Sequence, residues 1–239
     1  MLIKRSNNIF VIQNLKQKCS LKTANLICIF KIVWFLKAAE QGDPEAQYYL
    51  GLMYDKGFGL KQDYTEAMKW YLKAAEQDNK DVLCSIASMY LEGEGVKQDY
   101  AEARNYYIKA VNLGDADAQC NLGVMYDNGQ GVKQDNFKAF EWYQKAAENG
   151  NAKAQCNLGL MYYKSQGVKQ DYFKSFEWFE KAAENGNADA QCCLGGLYIK
   201  GHGVKQDLNN EIKWFEKAAE QGHAEATEFL ADINSILKG

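Results

Sequence analysis

The chain has 239 residues, 47% apolar and 25% charged, which suits one large folded domain or two small ones and excludes a disordered chain. One proline against twenty glycines argues against collagen-like, proline-rich and most all-β architectures. The net charge of −3 gives no global pull toward nucleic acid or acidic membranes, and only two of the 28 bases are arginine (Arg5 and Arg104), the residue suited to reading phosphate.

The first 39 residues carry Lys4, Arg5, Lys16, Lys18, Lys22, Lys31 and Lys37 and no acid. Residues 1–27 read as a basic targeting segment or as a worn-down repeat. The apolar run from Ile9 to Ile12 stops at Gln13 and Asn14, and no small-x-small cleavage site follows it. The run from Ala24 to Leu36 has Lys31 in its middle, and no uncharged apolar stretch reaches the roughly 18 residues of a transmembrane helix. A lone helix is expected near 28–41. Asp43-Pro44 then opens the next helix, since proline at the first helical position loses no hydrogen bond.

From here the chain repeats every 36 residues. Trp34, Trp70, Tyr106, Trp142, Trp178 and Trp214 keep this interval, as do Tyr54 to Tyr198 and Gly59 to Gly203. In the unit at 116–150, Ala118, Leu122, Met125 and Tyr126 share one helical face. A second stripe follows, made of Phe137, Phe140, Trp142, Tyr143, Ala146 and Ala147, broad enough for a helix buried between neighbours. Asp135 is placed as N-cap of this second helix and Gly150 as its left-handed terminus. Each unit is therefore helix A, a Gly-x-Gly loop, helix B and a tight turn.

Glycine within a helix costs about 1 kcal/mol relative to alanine, so Gly51, Gly123, Gly159 and Gly195 imply a close crossing of the two helices, with Ala87 and Ala231 replacing them elsewhere. Gly57, Gly93, Gly129 and Gly201 end helix A, with Ser165 as the exception. Asp78 replaces the glycine that ends helix B in the other units. The unit at 81–114 departs furthest from the pattern, through Ala87, Tyr106 and Val111, and local opening is expected at 78–92. The chain closes on an unpaired helix A at 225–237 with a polar face, as an array cap requires.

These motifs, Ala-x-x-x-Leu-Gly-x-x-Tyr, Gly-x-Gly-Val-x-x-Asp and Ala-x-x-Trp-Tyr-x-Lys-Ala-Ala-Glu-x-Gly, resemble the Sel-one-like repeat (SLR) family, relatives of the tetratricopeptide repeats, over about 34–239. The resemblance implies an all-α, right-handed α-solenoid (a TPR-like superhelix) over 28–239, with one unpaired helix, five helix pairs and a capping helix. It also implies a protein-binding adaptor. Cysteine-rich secreted members bridge the end of helix B to the next helix A. This chain has Ala75, Val111, Ala147 and Ala183 at that helix-B position, so the disulfide framework is not expected.

Cys84, Cys120, Cys156 and Cys192 share one repeat position, and equivalent helices stacked about 8–10 Å apart lie beyond disulfide reach. The cysteines read as small packing residues in a reducing compartment, cytoplasm first and delivery into a host second. No cysteine pair has a zinc-ligand gap, and His202 and His223 have no partner at ligand or nucleophile spacing. No cofactor motif is present. Ser235-x-x-Lys238 matches a penicillin-binding motif formally but lacks its companion motifs. Some SLR proteins carry a β-lactamase or penicillin-binding attribution, so a β-lactam or peptidoglycan hydrolase is the alternative reading to a non-catalytic scaffold. In the ladder from Lys37 to Lys217 the lysines have Glu40, Glu76, Glu148, Glu184 and Glu220 three residues later in every copy but that of Lys109, and those from Lys61 to Lys205 have nearby aspartates, so neither ladder reads as a polyanion track.

Binding in a solenoid is expected on the concave face lined by helices A. By resemblance to tetratricopeptide adaptors, the contact candidates there are Gln47, Gln119, Asn121, Gln155, Asn157 and Gln191, acting on other proteins or extended peptides. The carboxylate clamp for chaperone tails needs asparagine after the helix-A glycine. Leu52, Ser88, Val124, Leu160 and Gly196 stand there, so no clamp is expected.

Overall fold

The computed structural model describes residues 32–77 and 79–238, with side chains to residue 233. By contacts the chain divides into two compact units, Met1–Leu113 and Gly114–Gly239. Every described element is helical, and the architecture is a repeat solenoid of helix pairs. In the first unit, residues 32–40 are helical, followed by α1 (Pro44–Lys56), α2 (Tyr64–Ala75), α3 (Lys80–Glu92) and α4 (Tyr100–Asn112). The second unit holds α5 (Ala116–Asn128), α6 (Asn136–Glu148), α7 (Ala152–Lys164), α8 (Tyr172–Glu184), α9 (Ala188–Lys200), α10 (Leu208–Glu220) and α11 (Ala224–Lys238). Residues 1–31 and Asp78, on which the targeting segment and one expected left-handed turn depend, lie outside the described residues.

Local chemistry starts and stops the helices. Asp43 caps α1 ahead of Pro44, its carboxylate accepting from the Ala46 N–H at 2.7 Å. Asp63, Asp99, Asp135, Asp171 and Asp207 cap the second helix of each pair from extended backbone, with φ between −148° and −153°. The loop aspartates thus accept from backbone N–H groups at helix N-termini, and Asp135 also lies 3.8 Å from the ammonium of Lys138 in the helix it caps. Gly57, Gly93, Gly129 and Gly201 close α1, α3, α5 and α9 in the left-handed region. Ser165 closes α7 there too, at φ 59°, the single non-glycine with positive φ among the described residues.

Packing then joins the helices. A Cβ on Gly123 would lie 2.6 Å from the Tyr143 ring, one on Gly159 2.7 Å from the Phe179 ring and one on Gly195 2.6 Å from the Phe215 ring. Gly51 meets Tyr71 in the same way. Each of these crossings needs the missing side chain, as the sequence implied. Between pairs, Tyr143, Ala146 and Ala147 of α6 pack with Leu158 and Met161 of α7, and Phe179, Ala182 and Ala183 of α8 with Leu194 and Leu197 of α9. The array closes where Phe229 of α11 meets Phe215 with ring centroids 4.2 Å apart.

Two expectations change. Phe137 belongs by spacing to the buried stripe of its helix, yet it and its counterpart Phe173 are 61% exposed. Both stand at the second position of their helix, where the loop glycine of the following pair (Gly167 or Gly203) approaches the backbone and the side chain is left to solvent. The helix-B lysines also find a different partner from the expected glutamates. Lys73, Lys145, Lys181 and Lys217 hold their ammonium groups 4.1–4.6 Å above the rings of Trp70, Trp142, Trp178 and Trp214, and Lys109 sits likewise over Tyr106.

Candidate functional site: the groove along the first helices of the second unit

The glutamines expected to face a ligand are buried, with 5–9% of their surface exposed, and hold the repeats together. Gln155 on α7 donates Nε2–H to the Ala147 carbonyl at the end of α6 (3.1 Å), while its Oε1 accepts from Asn185 Nδ2 at the end of α8 (3.0 Å). Gln191 repeats this with Ala183 (3.1 Å) and Gln221 (2.8 Å), and Gln47 with Ala39 (3.1 Å) and Gln77 (3.2 Å). Gln119 accepts from Asn149 at 2.9 Å. The amide gives the carbonyl of the last helical turn a second donor beside the backbone N–H that already reaches it (Gly150 to Ala147, Gly186 to Ala183), so the buried amide is hydrogen-bonded. With both ends of Gln47, Gln155 and Gln191 engaged and the Oε1 of Gln119 taken by Asn149, these side chains are staples of the array and offer a ligand little.

Asn121 and Asn157 fare differently, for both are half-buried on α5 and α7. Asn157 lines an open cleft of about 310 Å³ together with Asp127, Tyr143, Leu160 and Lys164. Here the Tyr143 hydroxyl lies 3.5 Å from the Asp127 carboxylate; burial first, and that carboxylate second, push the phenol well above its ordinary value. It remains a hydrogen-bonding hydroxyl across the usable pH range.

A second cleft of about 370 Å³ shares the Leu160 and Lys164 walls and continues along α9 to Lys200. Its surface is largely apolar, from Leu160, Phe179, Leu197, Phe215 and Phe229. Gly196 lines it. The corresponding position holds Leu52, Ser88, Val124 and Leu160 in other repeats, whereas a Cβ on Gly196 would meet nothing within 4 Å. Lys164, Lys200 and Glu225 stand on the wall, and Lys200 Nζ donates to the Tyr163 hydroxyl at 3.1 Å. Sequence reasoning noted Gly196 only as the loss of a clamp asparagine. The available signal was the one position of that register without a side chain.

The groove's thiols are muted. Burial pushes Cys120 up to about 11 and Cys193 up to about 12, and it raises Cys156 and Cys192 as well. All five described cysteines are free thiols, and Cys19 and Cys28 lie outside the described residues. His202 stacks on Tyr172 with centroids 4.2 Å apart, which accounts for it as a packing residue. The side chains of Ser235 and Lys238 lie outside the described residues. Among those residues no helix is long and apolar enough to cross a membrane.

Comparison with known proteins places this geometry. The Sel1 repeat model matches six times, at residues 32–43, 44–79, 83–115, 116–151, 152–187 and 188–223. Among solved structures, the chain is similar to c5321, a protective antigen of uropathogenic Escherichia coli strains with an SLR fold, at 39% identity and a TM-score of 0.71. That match covers 84% of this chain and 43% of the antigen, so the chain spans less than half of that structure's length. It is also similar to a Sel1 repeat protein from Oxalobacter formigenes, at 33% identity and a TM-score of 0.80, covering 95% of this chain and 89% of the other. A third similar structure comes from Klebsiella pneumoniae subsp. pneumoniae, at 25% identity and a TM-score of 0.55, covering 84% of this chain and 98% of that one. The comparison with curated proteins finds no match.

Proposed function

The chain belongs to the Sel1 repeat family, and from that membership we propose that it is a non-catalytic protein-binding scaffold whose second unit seats an extended peptide segment along α5, α7 and α9. The observation that carries this reading is the pair of clefts joined at Leu160 and Lys164. One is polar and presents the Asn157 amide, which offers a donor and an acceptor to a peptide backbone. The other is apolar, lined by Gly196, and takes one large side chain. Lys164 and Lys200 favour an acidic group beside that anchor. The buried glutamines leave the list of contacts, and Asn121 and Asn157 stay on it.

Selection of binders from a random peptide library by the full chain tests the reading. Selected peptides should pair an acidic residue with a large apolar one. Gly196→Leu, which restores the side chain found at Leu160, should weaken them by at least about tenfold, a loss of about 1.4 kcal/mol. Lys164→Glu with Lys200→Glu should do the same while leaving the fold intact. Peptides that bind all three proteins equally would overturn it.

A further inference from the structure

We propose that Cys192, His223 and Glu225 form a binding site for a borderline divalent cation, zinc above all, at the junction of α9 and α11. One ligand atom from each residue lies within 4.8 Å of the others. Zinc bonds of about 2.0–2.3 Å place tetrahedral ligands roughly 3.3–3.8 Å apart, so the atoms need close by only about 1 Å. Glu225 is exposed and long enough to make that movement.

The repeat register shows why this grouping arises here. The residue before each first helix is Asp43, Asn79, Asp115, Asn151 or Asn187, and each caps its helix with a side-chain oxygen. Before α11 that residue is His223, whose Nδ1 accepts from the Ala226 N–H at 3.3 Å. The cysteine position is filled at Cys120 and Cys156 too. There the facing cap is Asn151 or Asn187, and Lys153 stands where Glu225 would be in the first case. Thiol, imidazole and carboxylate therefore coincide only at the last junction among the described residues.

The imidazole is held from both sides. Nδ1 accepts from the Ala226 N–H, and Nε2 lies 3.4 Å from Asp189 Oδ1. That contact occupies the slot of the 2.6 Å Asn151–Asp117 hydrogen bond two repeats earlier. A carboxylate on the distal nitrogen orients a metal-binding histidine, so Asp189 is the positioning residue. On binding, the Cys192 thiol releases its proton to solvent, His223 gives its Nδ1 lone pair and Glu225 gives a carboxylate oxygen. The fourth position is left to water. The Ala226 N–H gives up its long hydrogen bond. Two carboxylates and the new thiolate outweigh the opposing field of the α11 N-terminus. A sulfur, nitrogen and oxygen donor set selects zinc or cobalt over calcium or magnesium.

The test is a titration of the reduced full chain with cobalt(II), followed by competition with zinc. Wild type should develop a thiolate-to-cobalt charge-transfer band at one equivalent, and zinc should erase it. His223→Asn restores the cap residue used by α7 and α9, so it keeps the helix start; with Cys192→Ser, it should abolish the band. Glu225→Gln should weaken cobalt by about tenfold or more. Zinc should raise the melting temperature of wild type and leave that of His223→Asn unchanged. Absence of the thiolate band, or a band that survives His223→Asn and Cys192→Ser, would overturn the site.

Discussion

Leu83 and Leu113 line one cleft and together fill the two positions that elsewhere hold a hydrogen-bonded pair of amides. The counterparts are Gln47 with Gln77, Gln119 with Asn149, Gln155 with Asn185, and Gln191 with Gln221. In the α3–α4 repeat both members of the staple have become apolar together. Changing one alone would leave a buried amide without its partner, whereas changing both leaves a smaller deficit.

The pair is therefore expected to behave as a unit. Gln155→Leu alone should cost about 1–3 kcal/mol, because it strands the Asn185 amide and leaves the Ala147 carbonyl with its backbone donor from Gly150 alone. Adding Asn185→Leu should cost less than its own single effect, with a coupling of about 1 kcal/mol. Urea denaturation of the four proteins of the cycle measures this, and strict additivity would refute it.

Amide exchange should show where the staple is missing. α3 (Lys80–Glu92) lacks both that link and the helix-A glycine, since Ala87 stands there. Its amides should exchange faster than those of α5 and α7. Slower exchange at 79–92 than at 117–160 would reject local opening in this repeat.

Two glycine substitutions in the first helices should have opposite signs. Gly159→Ala drives a methyl group to 2.7–2.9 Å from Phe179 ring carbons and should destabilise by about 1–3 kcal/mol. Gly196→Ala meets nothing within 4 Å and should stabilise by up to about 1 kcal/mol through helix propensity. Melting curves for the two variants decide it.

Ser165→Gly should stabilise by about 1 kcal/mol, since only the serine holds a Cβ in a left-handed helix terminus. The opposing loss is an exposed 3.2 Å hydrogen bond from Ser165 Oγ to the Val168 carbonyl, which water replaces. A lower melting temperature in the variant would contradict the assignment of strain.

Stability should fall in alkaline solution partly through Cys120. Burial raises this thiol from 9.0 to about 11, so the folded state binds a proton that the unfolded state releases first. Its contribution is intact below pH 9 and is lost as pH rises toward about 11. Cys120→Ala should flatten the fall in stability between these values, as read by denaturant midpoints at several pH values.

The sequence by itself determined the helix pairs, their ends and their caps, because these depend on a few neighbouring residues and recur in register. It also determined the close crossings at Gly123, Gly159 and Gly195, where a glycine on an otherwise apolar helical face has a packing reason and little else. Tertiary structure decided which face of that register meets solvent. Gln155 looks equally suited to a ligand or to a staple until the Ala147 carbonyl and the Asn185 amide, 30 residues away in sequence, are seen to take both its ends. Phe137 looks buried by its spacing, yet at the start of its helix it is 61% exposed. The apolar cleft depends on what surrounds the absent side chain of Gly196, and the grouping of Cys192, His223 and Glu225 depends on how α11 lies against α9. A period identifies residues that share a place in the repeat; only the packed helices say what each place touches.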